Sequence, residues 1–435
     1  MLRQLLRGRW PLLGDRPAFH ADATGFLLRI AQEQGDVARF RLGRREAVLL
    51  AHPDLIRTVL VNRAAEFGKG RLMQRARRLL GDGLLTSEGE AHRTQRRHVQ
   101  RAFSRERLRG YGSLVPSLVA RHTAHWRSGT RVRVDAEMDS LAMRTVAGAL
   151  FGADIGEELP ALGQALRLLS RWAPLLAAPG GSMLEHTRLP VLGGLRSALH
   201  VVESVIDRRM VAGSGDPLMG ILVRNGDAPP MAWRMVRDEV MTLFLAGHDT
   251  TAAALTWVWL LLASHPSAES RLHRELANVL GGRDPQADDL DNLPYAEMVV
   301  KETLRLYPPV GRIGRRPCQS MELDRVFLEK DTPVFLSPYV TQRDPRWFED
   351  PETFRPERWA EPAPGRPQFA WFPFGAGPRS CVGEHFARAV ITSTIATIAQ
   401  AWRLRSSATL PRPRSLLTLK PRGAVWMVAE SSLRP

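Results

Sequence analysis

The sequence predicts a mainly α-helical protein with small β sheets, and three observations support this prediction. Apolar residues recur at helical spacing along most of the chain, and the stretch 240–263 is apolar on every side, which is typical of a helix buried on all faces. Hydrophobic residues make up 44% of the 435 residues, enough for a large core. Since neither a repeat nor a linker interrupts these elements, we expect one domain over residues 1–435, with about 1–20 as a lead-in.

The apolar spacing predicts the elements in chain order. A helix over 22–34 precedes an alternating strand pair over 37–51, and Pro53 opens a short helix that ends near Asn62. The long central helix, about 232–264, ends before Pro266, because proline disfavours helix in the residue that precedes it. The other predicted elements are helices over 89–103, 106–127, 135–151, 160–172, 189–211, 267–280, 294–306 and 382–402, strands near 325–328 and 333–336, a loop containing 177–181, and closing β segments.

The chain is strongly basic, with a formal net charge of +16. Only four of the 61 basic residues are lysines, and the arginines are spread along the chain, which indicates a compositional bias. The basic runs are short and no nucleic-acid-binding module is recognisable, so we expect no nucleic-acid partner. Two distant cysteines, Cys318 and Cys381, exclude a disulfide scaffold and CxxC zinc sites.

The sequence predicts no membrane-spanning segment. Arginines at positions 3, 7 and 9 leave no apolar run long enough for a signal peptide. The stretch 240–263 is long enough to cross a bilayer, but it contains His248 and Asp249, and a charge at the bilayer centre is costly. We therefore expect a cytoplasmic protein.

The segment 374–383, FGAGPRSCVG, is the most informative in the chain. Its glycines allow close approach of the backbone to a flat cofactor, and Cys381 stands at the predicted start of a helix, where free N–H groups favour a thiolate. Arg379 can bind a carboxylate through two N–H groups. These features are suited to a haem iron held by one cysteine thiolate.

This segment resembles the ligand loop of the haem-thiolate cytochrome P-450 monooxygenases, FxxGxRxCxG. Five fixed positions match, namely Phe374, Gly377, Arg379, Cys381 and Gly383. The resemblance implies a cytochrome P-450 fold with a long central helix over haem b, and Cys381 as the iron ligand. Cys318 has no comparable setting.

A second motif lies within the central helix. Residues 246–251, AGHDTT, resemble the family's oxygen-activation signature, [AG]Gx[DE]T[TS]. Small residues such as Ala246 allow a ligand to approach the helix, and Asp249 with Thr250 places an acid beside an alcohol. Because O–O bond cleavage consumes protons, this pair is the predicted catalytic relay. His248 occupies a variable position and has no predicted role.

The resemblance also implies supporting residues and partners for the haem carboxylates. Glu302 and Arg305 match the family's ExxR pair, and Arg358 matches the arginine that joins it. The expected partners of the haem carboxylates are His92, Arg96, Arg315 and Arg379. His92, Gln342 and Trp359 depart from residues that are frequent in the family.

The implied reaction inserts one oxygen atom of O₂ into a C–H bond of a large apolar substrate. No flavin or dinucleotide fingerprint is present, so a separate electron donor is expected, an acidic ferredoxin with its reductase, near Arg97 and Arg101. Phe244 and the segments 71–86, 310–313 and 424–426 are among the residues predicted to line an apolar pocket. Several stretches resemble carotenoid-ring hydroxylases, so a carotenoid is the expected substrate; terpenoid, fatty-acid or polyketide oxidation and a peroxide-driven reaction are the alternatives. A monomer is expected.

Overall fold

The computed structural model of the chain describes residues 13–152, 156–176, 190–212, 218, 220, 222, 232–406, 409–415 and 417–432. The fold is mainly α-helical with small sheets, as predicted. The helices are α1 (Arg16–Ala21), α2 (Ala23–Gln34), α3 (Pro53–Arg57), α4 (Arg71–Leu80), α5 (Gly89–Ala102), α6 (Arg105–Thr123), α7 (Val134–Phe151), α8 (Leu159–Leu176), α9 (Pro190–Ala212), α10 (Trp233–Ser264), α11 (Pro266–Leu280), α12 (Pro294–Leu306), α13 (Pro338–Thr341) and α14 (Glu384–Ala401). The strands are β1 (Val37–Leu42), β2 (Arg45–Leu50), β3 (Phe67–Lys69), β4 (Thr130–Arg133), β5 (Ile313–Pro317), β6 (Met321–Leu323), β7 (Val326–Leu328), β8 (Val334–Leu336), β9 (Trp402–Arg405), β10 (Pro413–Ser415), β11 (Leu419–Pro421) and β12 (Trp426–Ser431).

The largest sheet in the described part of the chain joins the N-terminal region to the segment after α12. Its strand order is β1-β2-β8-β5-β3. Strands β1 and β2 form the predicted antiparallel hairpin, with Gly43 at φ +71° in the turn. Strand β5 pairs antiparallel with β3, which places Lys69 opposite Arg315. The sheet therefore brings two basic residues together that are distant in the sequence.

Helix α10 is buried along most of its 32 residues and passes through the main core. It packs against α7 and also contacts α12 and α14. Trp257 stacks on Tyr307, with ring centroids 3.7 Å apart, and its indole N–H donates to the carbonyl of Leu419 over 2.9 Å. The helix ends at Ser264 before Pro266, as expected. None of the described helices is long and apolar enough to cross a membrane.

Several elements differ from the sequence-based expectation. Helix α4 and strands β3 and β4 were not predicted, and the predicted helix from Pro53 continues after Arg57 as a π-helical turn, Thr58–Asn62. The last helix begins at Glu384 rather than at residue 382. The predicted loop at 177–181 lies outside the described residues.

Candidate active site

Cys381 lies in a loop that comes directly before α14. Its backbone N–H donates to the carbonyl of Phe374 over 2.8 Å, so the loop folds back on itself. Helix α14 has Gly383 as its N-cap residue. The cysteine therefore precedes the helix by three residues instead of starting it, and it remains near the N–H groups that the first helical turn leaves free.

Gly377 is required where this loop passes another segment of backbone. Its φ is +68°, and a Cβ there would lie 2.0 Å from the carbonyl oxygen of Leu60. Gly383 differs, because its φ is −96° and a Cβ would make an ordinary contact of 3.6 Å with Phe103. Steric constraints therefore account for glycine at position 377 but not at position 383.

The thiol of Cys381 is accessible but closely surrounded by protein. Burial raises the pKa of the thiol to about 11. A hydrogen bond from the Gly383 N–H and the charge of Arg96 lower this pKa without overcoming burial. Such a thiol loses its proton when a metal cation binds it. The site therefore fits a cofactor that brings a metal ion to the sulfur.

Arg96 and Arg379 are held beside the cysteine loop by hydrogen bonds to backbone and hydroxyl oxygens. Arg96 donates to the carbonyl of Ser380 over 2.6 Å and to its hydroxyl over 3.0 Å. Arg379 donates to the carbonyl of Phe67 over 2.7 Å. Because a guanidinium group has five N–H donors, both side chains retain donors for a ligand.

Lys69 joins this group of basic residues and was not selected from the sequence. Its side chain is 6% exposed, and its ammonium donates to the carbonyls of Leu84 and Leu85, both over 2.8 Å. The strand pairing places it across from Arg315. The sequence offered one signal that could have pointed to Lys69, namely that lysine is rare in this arginine-rich chain and occurs only four times.

The five basic residues Lys69, His92, Arg96, Arg315 and Arg379 form what we term the cationic cluster. Burial, followed by the charges of Lys69 and the three arginines, lowers the pKa of His92 to about 4. Burial, followed by the charge of Arg379, lowers the pKa of Lys69 to about 7. Burial, and after it the repulsion between neighbouring positive charges, therefore disfavours the charged forms of these groups, and an anionic ligand would relieve both effects. The cluster therefore fits the two carboxylates of a haem.

The central helix has an open position at Ala246. This residue is exposed, although the residues from Val240 to Phe244 are buried. The hydroxyl of Thr250 donates to the carbonyl of Ala246 over 2.7 Å, one turn along the helix. A Cβ at Gly247 would lie 3.1 Å from Val146, so Gly247 faces α7 and does not widen the open position. A ligand can therefore approach the central helix beside Ala246 and Thr250.

The carboxylate of Asp249 points away from Thr250. One oxygen accepts a hydrogen bond from the Thr418 hydroxyl over 2.6 Å, and the other lies 2.5 Å from the ammonium of Lys420. The same ammonium lies 3.8 Å from Asp139. The structure therefore brings the predicted acid and alcohol onto one helical turn, but their side chains bond elsewhere.

The predicted support residues form a buried network around Glu302. Its carboxylate accepts two hydrogen bonds of 2.9 Å from Arg305 and one of 2.9 Å from Arg358. The indole of Trp359 also donates to it over 2.9 Å, a contact that the sequence did not predict. Burial opposes ionisation of Glu302, but the bonds and charge of Arg305, with the charge of Arg358, hold the pKa of this carboxyl below its usual value.

Gln342 connects this network to the cysteine loop. Its amide N–H₂ donates to the carbonyls of Leu304 and Arg305 over 2.9 Å each, and its oxygen accepts the N–H of Phe372 over 3.0 Å. Gln342 and Trp359 stood out in the sequence only as departures from the family pattern. Both are integral to the support of the loop.

The predicted pocket lining is only partly accessible. Phe244 is 1% exposed and packs near Phe151, so its predicted position in the lining was wrong. Leu85 and Val310 are 36% and 37% exposed and remain candidates for an apolar wall.

A helical fold in which one cysteine loop, a cationic cluster and an open position on the central helix occur together is that of a haem-thiolate protein. The family model for cytochrome P450 matches residues 6–194 and 222–427. The chain belongs to the cytochrome P450 family, is a monooxygenase and uses haem b.

Among curated proteins, the chain is similar to two from Streptomyces melanosporofaciens. Cyclooctatin synthase is 36% identical over 430 residues, which cover 95% of this chain and 93% of the relative. Cyclooctat-9-en-7-ol 5-monooxygenase is 35% identical over 413 residues, or 92% and 88% of the two chains. Pentalenene oxygenase of Streptomyces avermitilis is 33% identical over 383 residues, or 85% and 84%.

Proposed function

We propose that this monooxygenase hydroxylates a cyclic terpenoid. The observation that carries the proposal is the similarity, over at least 84% of each chain, to relatives whose names specify cyclooctatin, cyclooctat-9-en-7-ol and pentalenene. These relatives favour the terpenoid alternative over the carotenoid expected from the sequence. The accessible large apolar residues of the predicted lining, Leu85, Val310 and Trp426, suit an apolar substrate of this kind.

We assign the binding of the cofactor to residues near the cysteine loop. Cys381 holds the iron, the cationic cluster binds the haem carboxylates, and Phe374 and Gly383 shape the loop around the sulfur. Glu302, Arg305 and Arg358 hold this loop in place. Haem bound through a thiolate supplies the activation of O₂ and the transfer of one oxygen atom to a C–H bond.

The protein's own part in the reaction is the handling of protons and of substrate. Ala246 leaves room for O₂ and substrate beside the helix, and the Thr250 hydroxyl can exchange its bond to the Ala246 carbonyl for a bond to a ligand. Asp249 supplies protons after it leaves Lys420 and turns towards Thr250. Both residues therefore change partners during turnover.

The remaining parts of the proposal concern the electron donor and the state of the protein. An acidic ferredoxin with its reductase is the proposed donor, and the exposed side chains of Arg97 and Arg101 on α5 are its proposed contacts. We propose that the chain acts as a cytoplasmic monomer of one domain.

The test of the terpenoid proposal compares substrates on the haem-loaded protein. Cyclic terpene hydrocarbons and alcohols are expected to shift the haem spin state and to yield hydroxylated products with a ferredoxin system, whereas β-carotene is expected to do neither. A spin-state shift and product with β-carotene alone would contradict the proposal. The Cys381→Ala variant is the control, because it should lose the far-red-shifted Soret band of the reduced CO complex.

A further inference from the structure

Glu239 is a buried acid that the proposed reaction does not use. It lies on α10 two turns before Ala246 and is 0% exposed. One carboxyl oxygen accepts the N–H of Leu84 over 3.0 Å, and the other has no hydrogen-bond partner among the described residues. An ionised carboxylate that is buried without a cation in contact is costly. Burial raises the pKa of Glu239 to about 7, and the charge of Asp238 adds to this effect. The hydrogen bond from the Leu84 N–H and the charge of Lys69 act in the opposite direction.

Three more polar groups, on the elements linked to Glu239 through the loop 81–88, are buried without a partner in the described part of the chain. These are the hydroxyls of Ser87 and Thr242 and the amide oxygen of Gln95. They belong to the loop 81–88, to α10 and to α5, and hydrogen bonds join this loop to Glu239 and Asp238 of α10 and to Gln95 of α5. Thr242 lies three residues after Glu239 and therefore on the same helical face. Buried groups of this kind are usually satisfied by ordered water, so the site is suited to hold water beside the acid.

Lys69 connects Glu239 to the cationic cluster. The charge of each residue acts on the other, and Lys69 is itself one of the five cluster members. The other charged groups that act on the pair are Asp238, Glu88, Arg315 and Arg379. A change of charge on a group bound by the cluster would therefore act on Lys69, whose charge acts in turn on Glu239.

The same site adjoins a surface cleft. A cleft of about 470 Å³ is lined by Asp82 and Asp238, among other residues. The carboxylate of Asp238 accepts the N–H of Asp82 over 2.8 Å, and the amide of Gln95 donates to the carbonyl of Asp82 over 2.5 Å. These bonds join the lining of the cleft to Gln95, whose amide oxygen is one of the buried groups without a partner among the described residues.

We propose that Glu239, together with Lys69 and the water held by Ser87, Gln95 and Thr242, binds one proton when the haem accepts one electron. The electron comes from the donor protein, the proton comes from solvent through the cleft, and the bond formed is the O–H bond of the Glu239 carboxyl. The added negative charge at the haem favours the neutral acid. By linkage, protonation of Glu239 favours reduction, so the reduction potential falls as the pH rises.

The test measures the reduction potential of the haem-loaded full chain by spectroelectrochemistry from about pH 6 to about pH 8.5, the range around the site's titration. The potential of the parent is expected to fall with rising pH, by at most the slope of one proton per electron. Glu239→Gln retains an acceptor for the Leu84 N–H but cannot take the proton, and it is expected to flatten the slope. The matched control is Glu275→Gln, which alters another carboxyl whose pKa burial raises. This control is expected to retain the slope.

Two results would overturn the proposal, namely a parent potential that is independent of pH and a Glu239→Gln variant that keeps the full slope. If Glu239→Gln fails to load haem, the infrared difference spectrum of the parent, reduced minus oxidised, decides the question. Reduction should add a C=O band of a protonated carboxyl, and Thr242→Val should shift this band by removing a water-holding hydroxyl. A spectrum without that band would refute the site.

Discussion

Asp249 shows how the environment of one residue changes its chemistry. Both of its oxygens are engaged, by the Thr418 hydroxyl and by the Lys420 ammonium, so in this structure the carboxylate is held away from Thr250. Lys420 also has Asp139 within 3.8 Å, and Asp139 lies 3.0 Å from His248. When the Asp249 carboxylate turns towards Thr250, the Lys420 ammonium therefore still has the Asp139 carboxylate nearby. This lowers the electrostatic cost of breaking the ion pair between Asp249 and Lys420.

The residue-scale prediction compares a variant of the acid, Asp249, with a variant of its ion-pair partner, Lys420. Asp249→Asn should lower the rate of product formation by about 10²- to 10⁴-fold, the usual contribution of a positioned acid. Lys420→Met should change the rate by no more than about fivefold, because an ion pair with a partly exposed lysine is worth up to about 1 kcal/mol. Both variants are compared by product formed per haem in the same ferredoxin system. Equal losses in the two would mean that Lys420 belongs to the relay itself.

The sequence identified individual site residues where a residue type at a fixed spacing is sufficient. Glu302 and Arg305 are of this kind, because they are close in the chain and are joined by hydrogen bonds. Cys381 was selected from a specific motif and remains the proposed iron ligand. The sequence did not predict roles for Lys69 or for the indole of Trp359. Each contributes to the site through contacts with segments that are distant in the sequence and that only the fold brings near. The direction of the Asp249 side chain was hidden for the same reason, as it depends on Lys420, far along the chain.

At the scale of elements, periodicity predicted the long helices well and the short elements poorly. Helix α10 has enough apolar residues to define its ends within about two residues, helped by Pro266. Helix α4, in contrast, is strongly amphipathic, but four of its ten residues are arginines, so few apolar residues mark it in the sequence. Strand β3 has only three residues and exists because β5 pairs with it. Short strands of this kind are set by tertiary contacts rather than by local sequence.

The element-scale prediction concerns the loop before α14. Gly377→Ala should destabilise the protein by at least about 2 kcal/mol, because its φ is positive and the new Cβ would meet the backbone of Leu60. Gly383→Ala, in the same loop, should cost less than about 1 kcal/mol, since its φ is negative and the new Cβ would make only an ordinary contact with Phe103. Denaturant unfolding measures both changes, and the CO difference spectrum reports whether the thiolate still binds iron. A Gly383→Ala variant as unstable as Gly377→Ala would contradict this steric account.

At the scale of the whole molecule, α5 shows how part of the surplus of positive charge is used, because its basic residues lie on two faces. His92 is buried and Arg96 partly buried, and both belong to the cationic cluster. Arg97 and Arg101 are exposed, as is Arg93, which pairs with Glu90. One helix therefore presents basic residues to the proposed haem site and to solvent, so an electron donor that binds its outer face would come close to the cofactor.

This arrangement predicts that electron transfer depends on salt through α5. The double variant Arg97→Glu with Arg101→Glu should slow reduction by an acidic ferredoxin at least about tenfold at low ionic strength, and the rate of the parent should fall as salt is added. A control with the same change in net charge, Arg29→Glu with Arg422→Glu, alters exposed or partly exposed arginines elsewhere and should stay within about twofold of the parent. Stopped-flow mixing of the reduced donor with the ferric protein under CO measures these rates. If the two double variants slow reduction equally, the effect comes from the +16 net charge as a whole, and α5 is not the docking surface.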